Sequence, residues 1–295
     1  MRPDDAATLK PHITQASRAP TFEVEALNER GEAVTTAIAG EHPLTLYVDK
    51  REVVTLMTLG QAPEALAIGY LRNQRLVGSI ADIASVQVDW ETDSVAVVTR
   101  SGIADMDGRM EKRTVTTGCG QGTVFGDLMA DIDAIRLRAD VRLTDRALHA
   151  MLAGSRRHES VYKSAGAVHG CALFANPTGI DPSTDIEREP LYFVEDVGRH
   201  NAVDAIAGLM WLDGTDGSDK VFYTTGRLTS EMVIKAAQMG IPFLVSRSGL
   251  TRMGWEIAQK SGITMIGRAA GGKHYLLFTG RERFVKTGSA PTELA

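Results

Sequence analysis

From about residue 140 onward, apolar segments of strand length alternate with amphipathic segments of helix length. This alternation limits the fold more than any other feature of the chain. Strands are read at residues 168–174, 191–194, 221–225, 243–246, 263–266 and 274–278. Between them, Thr144 is placed to cap a helix carrying Leu148, Met151 and Leu152, with Gly154 in its C-terminal turn. Val203, Ile206, Ala207 and Met210 form one helical stripe, and further helices begin near Thr229 and Thr251. Strands separated by helices pair in parallel, so the expectation is an α/β layer.

The upstream half reads differently. Residues 44–48 and 53–57 are strands, and Ala62, Ala65, Leu66, Gly69 and Tyr70 fall on one face of a helix. Val86, Val88 and Trp90 alternate with polar residues, as do Val95 and Val97 beyond Thr92, Asp93 and Ser94, which reads as a hairpin. The organisation expected is a disordered tail at 1–20, an α+β domain at 21–140, an α/β domain at 141–286 and a second tail at 287–295. Residues 100–140, rich in glycine and charge, connect the two domains.

A length of 295 residues suggests two domains or one large one. With 32 Lys and Arg against 37 Asp and Glu, the formal charge is −5, which argues against a general duplex-DNA binder. No apolar run approaches the ~20 residues that span a bilayer. The start Met1-Arg2-Pro3-Asp4-Asp5 lacks the basic region and apolar core of a secretory signal. The expected address is the cytoplasm, where Cys119 and Cys171 would be reduced thiols.

Several strand-to-helix turns of the second half carry an arginine: Gly198-Arg199-His200, Gly226-Arg227 and Ser246-Arg247-Ser248-Gly249. In a parallel α/β sheet such turns share the edge where ligands bind. Their glycines admit close backbone approach, and the helix starts and guanidinium forks suit an anion. Arg268, Ala269, Ala270, Gly271, Gly272 and Lys273 follow a strand and repeat this chemistry. Four such elements point to a pyrophosphate or nucleotide; solvated loop charges are the plain alternative.

Cys119 lies in Thr117-Gly118-Cys119-Gly120-Gln121-Gly122, a setting without the packing of a core. A thiol there is placed to react as thiolate, with an inert loop cysteine as the alternative. Cys171 sits in the apolar run 168–173 and reads as buried packing. His169 in the same run is either a structural residue or a proton or orientation partner. His200, at a helix start, suits a neutral imidazole donating to a ligand, and Glu195 and Asp196 either orient a ring or cap that helix. No Cys-x-x-Cys arrangement supports a metal site.

The segment Glu195-Asp196-Val197-Gly198-Arg199-His200-Asn201-Ala202-Val203-Asp204 resembles the signature of the FdhD family, the formate dehydrogenase accessory sulfurtransferases. Gly226-Arg227, Ser230-Glu231-Met232-Val233, Lys235-Ala236, Gly240-Ile241-Pro242 and Ser246-Arg247-Ser248 follow in the family's order, as does Gly262-Ile263-Thr264-Met265-Ile266-Gly267. Upstream, Met57-Thr58-Leu59-Gly60 and Ala67-Ile68-Gly69-Tyr70-Leu71 resemble its N-terminal half. The resemblance covers roughly residues 40–285.

It implies a sulfurtransferase that receives sulfur from a cysteine desulfurase as a persulfide on the loop cysteine, here Cys119. The sulfur then passes to the molybdenum bis-guanine-dinucleotide cofactor destined for formate dehydrogenase. Residues 268–273 match the family's cofactor-contacting stretch, with Arg199, His200 and Arg227 as further expected contacts. The resemblance also implies a cytidine-deaminase-like C-terminal domain without zinc ligands, a homodimer, and no nucleic-acid or membrane partner. Three positions depart from the family pattern. Gly122 stands for its second loop cysteine, Ala205 for a lysine after the signature, and Gly249-Leu250-Thr251-Arg252-Met253-Gly254 for its usual turn. Two other function classes stay open: a non-covalent chaperone for the cofactor, and a nucleotide-binding enzyme on the same fold.

Overall fold

The computed structural model describes residues 10–103, 108, 135–176, 188–271 and 274–287. In chain order its elements are β1 (His12–Ile13), β2 (Thr21–Leu27), β3 (Ala33–Ala39), β4 (His42–Val48), β5 (Arg51–Thr58), α1 (Pro63–Asn73), β6 (Ile83–Asp89) and β7 (Ser94–Thr99). There follow β8 (Leu143–Thr144), α2 (Asp145–His158), α3 (Val161–Ser164), β9 (His169–Ala175), β10 (Tyr192–Asp196) and α4 (Arg199–Asp213). The last are β11 (Lys220–Thr224), α5 (Ser230–Gln238), β12 (Phe243–Ser246), α6 (Arg252–Ser261), β13 (Thr264–Gly271), β14 (His274–Leu277) and β15 (Phe284–Val285). The architecture is mixed α/β.

By contact the chain forms two units that interleave in sequence. The first gathers Met1–Asp127, Ser160–Gly170 and Val194–Thr215; the second gathers Leu128–Glu159, Cys171–Phe193 and Asp216–Ala295.

In the first unit five strands are ordered β1-β6-β7-β4-β5. The turn between β4 and β5 is closed by Asp49 and Lys50, both at positive φ (48° and 71°), the mirror-image geometry that matches strand twist. Period-two alternation sends Leu44, Leu46, Val48, Val95 and Val97 inward, each at most 1% exposed. The chain before Thr21 is tied to this sheet. β1 pairs in parallel with β6, Glu64 Oε1 accepts from Thr14 Oγ1 (2.7 Å) and Ala16 N (2.9 Å), and the Arg18 guanidinium lies 4.7 Å from the Trp90 ring centroid.

Helix α1 is buried on nearly every side, because α4 packs across it. The crossing is close enough that a Cβ on Gly69 would lie 1.6 Å from Asp204 O, and one on Gly208 would lie 1.9 Å from Ala65 O. Only glycine permits such an approach. Beside it, Asn73 Nδ2 donates to Asp204 Oδ1 (2.7 Å) and Arg72 Nη1 to Ala207 O (2.9 Å).

The second unit holds most of a six-stranded sheet ordered β10-β9-β11-β12-β13-β14. β11, β12 and β13 run parallel, with β9 antiparallel to β11 and β14 antiparallel to β13. Tyr223, Val245 and Ile266 pack with Leu148, Met151 and Leu152 of α2 on one face, and the intervening Phe222, Leu244 and Met265 are equally buried on the other. Burial on both faces explains why these strands read as continuous apolar runs. Thr144 caps α2 as expected, its Oγ1 accepting from Ala147 N (3.1 Å). Gly154, expected at the C-terminal turn, lies inside the helix instead, where a Cβ would meet Arg188 O at 2.0 Å. Close packing, and not helix termination, is what that position requires.

Candidate functional site

In the second unit, the turns that leave the carboxyl ends of β11 and β12 are laced to each other and to Arg268, which lies within β13 and not after it as the sequence suggested. Arg247 N donates to Thr224 O (3.1 Å), Leu228 N to Gly249 O (3.0 Å), Thr251 N to Leu228 O (3.1 Å) and Arg268 N to Ser248 O (2.8 Å). Side chains reinforce the lacing, with Ser246 Oγ donating to Gly226 O (2.6 Å) and accepting from Ser248 N (2.9 Å). These bonds fix the backbone of the rim by pairing several of its polar groups internally.

Arg227 and Arg268 are exposed on the rim. Arg268 holds φ at +54°, a left-handed value costly for a side-chain-bearing residue, where β13 and β14 lose register between Gly267 and Gly271. Ala269 points into the core at 1% exposure, and the Ala270 carbonyl accepts from Arg156 Nη2 (2.8 Å). Gly271 ends β13, whereas Gly272 and Lys273 fall outside the described residues.

Arg247 behaves differently from its neighbours, for its Nη1 donates to Glu159 Oε1 at 3.0 Å, with the carboxylate side chain 5% exposed. This part-buried pair fixes the guanidinium and offsets its charge locally. Beneath these residues Tyr223 is buried and its hydroxyl pKa is pushed up to about 12 by desolvation. Cys171, fully buried as expected, donates its S–H to Thr224 Oγ1 (3.3 Å). The S–H donor is thus engaged inside the sheet, as packing predicts.

The first unit holds the other expected residues. Arg199 and His200 open α4 as the sequence indicates, and both are buried (6% and 2% exposed). His169, half-buried, is the first residue of β9. The acids before them both hold helix starts, Glu195 that of α3 and Asp196 that of α4 through the N–H of Gly198. Glu195 accepts from Ser160 N (3.0 Å), Val161 N (2.8 Å) and Tyr162 N (2.9 Å), so it closes the start of the short helix α3. Asp196 receives Thr58 Oγ1 (2.5 Å), Leu59 N (3.2 Å), Gly198 N (3.0 Å) and Asn201 Nδ2 (2.9 Å). Burial pushes its pKa up, while these four donors are the surroundings of an ionised carboxylate. Asn201 Nδ2 also donates to Met57 O (2.6 Å), so this knot joins the end of β5 to the turn that starts α4.

Cys119, the expected nucleophile, lies outside the described residues. Among the described residues no group of three or more His, Cys, Asp or Glu is arranged to hold a metal, and no helix is long and apolar enough to cross a membrane. Sequence reading passed over Arg156 and Glu159. Their partners lie 114 and 88 positions away, and no local spacing announces such pairs. The Asp196 turn did carry a signal, because an Asp followed by Gly at i+2 and Asn at i+5 is a local side-chain-to-backbone motif.

With this geometry in place, comparison with known proteins identifies consistent relatives. A model of the FdhD/NarQ family matches residues 39–285. The sulfur carrier protein FdhD of Listeria monocytogenes serotype 4b (strain F2365) is 28% identical over 253 residues, covering 85% of this chain and 92% of that protein. That of Bacillus subtilis (strain 168) is 28% identical over 260 residues (86% and 94%). That of Saccharolobus solfataricus is 30% identical over 251 residues (83% and 90%). A crystal structure described as that of a formate dehydrogenase accessory protein from Desulfotalea psychrophila superposes with a TM-score of 0.70 at 22% identity, covering 92% of this chain and all of that one, which shows a shared fold.

Proposed function

The chain belongs to the FdhD/NarQ family, and we propose that it is a sulfur carrier whose working thiol is Cys119. The observation that carries this reading is the match over 85% or so of the chain to relatives named as sulfur carriers. The exposed Arg227 and Arg268 at the carboxyl edge of the parallel strands support it.

In the proposed reaction the Cys119 thiolate attacks the outer sulfur of a persulfide on a cysteine desulfurase. A new S–S bond forms on Cys119, the donor's S–S bond breaks, and the donor cysteine leaves as thiolate, so no external oxidant is consumed. The acceptor is the molybdenum bis-guanine-dinucleotide cofactor, held as substrate on its way to formate dehydrogenase or a related enzyme. Its two pyrophosphates suit Arg227 and residues 268–273 of the second unit; for Arg199 and His200 as contacts and His169 as a proton or orientation partner, the family resemblance is the only support. The reading extends to a cytoplasmic homodimer whose C-terminal half shares the cytidine deaminase architecture. The departing stretch 249–254 forms the turn into α6, on the same rim, and is proposed to adapt the site to its own acceptor.

A second reading, a cofactor chaperone without covalent chemistry, is favoured by one observation, Gly122 in place of a second loop cysteine. Intact mass after incubation with a cysteine desulfurase and cysteine separates the two. Wild type and Cys171→Ala should each gain one sulfur atom, and Cys119→Ala should gain none while still binding the cofactor. Absence of any added sulfur on wild type would favour the chaperone.

A further inference from the structure

An anion bound at residues 268–270 would face two unfavourable features of the second unit. One is the carboxyl end of α2, where the helix dipole places about half a negative charge. The other is the outward-facing Ala270, whose carbonyl dipole would repel an anion if it turned toward the ligand. Arg156 answers both, since it lies in the last turn of α2 and its Nη2 donates to Ala270 O at 2.8 Å. The next two residues of that turn face elsewhere: Arg157 Nη2 and His158 Nε2 lie 2.6 Å and 3.3 Å from the oxygens of Glu189.

Seen from the strand, three successive residues are held by three different parts of the unit. Arg268 N is bound to Ser248 O of the β12–α6 turn, Ala269 is seated in the core, and Ala270 O is bound to α2. A left-handed arginine persists only where its neighbours over-determine it, and Arg268 is such a case. Because a trans peptide is planar, fixing the Ala270 carbonyl on Arg156 also turns the amide N–H of the same peptide unit the opposite way.

We propose that Arg156 is a positioning residue for the anion site. Its hydrogen bond to Ala270 O holds the Arg268-Ala269-Ala270 backbone in the form that receives a pyrophosphate and keeps a carbonyl from facing it. This rests on the reading of residues 268–273 as ligand contacts, and the test is built to separate the two ideas.

The probe is GDP, titrated calorimetrically into the full chain, with inorganic pyrophosphate and phosphate-free guanosine alongside. Arg156→Ala should weaken GDP and pyrophosphate about tenfold, leave guanosine and the thermal midpoint unchanged, and keep its deficit at 0.5 M KCl, where a distant charge is screened. Arg156→Lys retains a donor and a charge and should recover affinity to within about threefold of wild type. The proposal is overturned if Arg156→Ala binds GDP as wild type does while Arg268→Ala loses it, or if the deficit vanishes in high salt. If wild type binds neither GDP nor pyrophosphate, the anion-site reading itself fails and takes Arg156 with it.

Discussion

Replacing Gly69 by alanine sets two effects against each other, and the structure decides which wins. Helix propensity alone favours the change by roughly 1 kcal/mol, since Gly69 lies in the interior of α1. Packing opposes it, because the added methyl would stand 1.6 Å from Asp204 O and 2.7 Å from Gly208 N. Ordinary contact begins near 3.4 Å, so α1 and α4 would have to part by roughly 1.8 Å. A gap of that size forfeits most of the dispersion energy along the crossing. It also stretches the Asn73–Asp204 and Arg72–Ala207 hydrogen bonds, each contributing about 1 kcal/mol. Overpacking of a core typically costs about 1–3 kcal/mol, and here backbone and not a flexible side chain must yield. The net expectation is a loss of about 3 kcal/mol, which for a chain of this size lowers the melting temperature by roughly 6–12 °C. Urea and thermal unfolding of Gly69→Ala against wild type measure it. Gly78→Ala serves as control, because a methyl there would meet nothing closer than 3.6 Å. A Gly69→Ala protein as stable as wild type, or more so, would refute the view that α1 and α4 touch backbone to backbone.

Alkaline pH should reveal the buried Tyr223. Its folded pKa of about 12 exceeds the unfolded value of 10, so its contribution is complete below pH 10 and is lost as pH rises toward 12. The fall amounts to about 3 kcal/mol across that window, and Tyr223→Phe should flatten the pH-dependence of unfolding there; equal slopes in both proteins would contradict the burial. Thr251→Ala removes the side-chain cap that accepts from Gly254 N (3.2 Å) and should cost about 1 kcal/mol in chemical denaturation, whereas Thr251→Ser should cost much less.

What the residues alone determined is the part of the protein governed by short-range rules. Alternation of period two and stripes of period 3.6 located β4, β6, β7, β11 and β12 and helices α1, α2 and α4 to within a few residues. Thr144 read as a cap and Thr251 as the neighbourhood of a helix start, because an N-cap is a local hydrogen bond. The signature around Arg199 and His200 likewise sits at a strand-to-helix turn that its own sequence encodes. Tertiary structure decided everything that depends on residues far apart in the chain. It split the chain into interleaved units, and it turned Gly154 from a presumed helix stop into a packing contact with Arg188. It took Glu195 to the start of α3, bound Arg247 to Glu159 and left Arg227 exposed, although both arginines occupy similar turns, and it placed the exposed Arg268 within β13. The reason is range: a cap or an alternation is fixed by neighbours within four residues. Which arginine is paired depends on whether folding brings a carboxylate within about 3 Å of it, and no spacing along the chain encodes that.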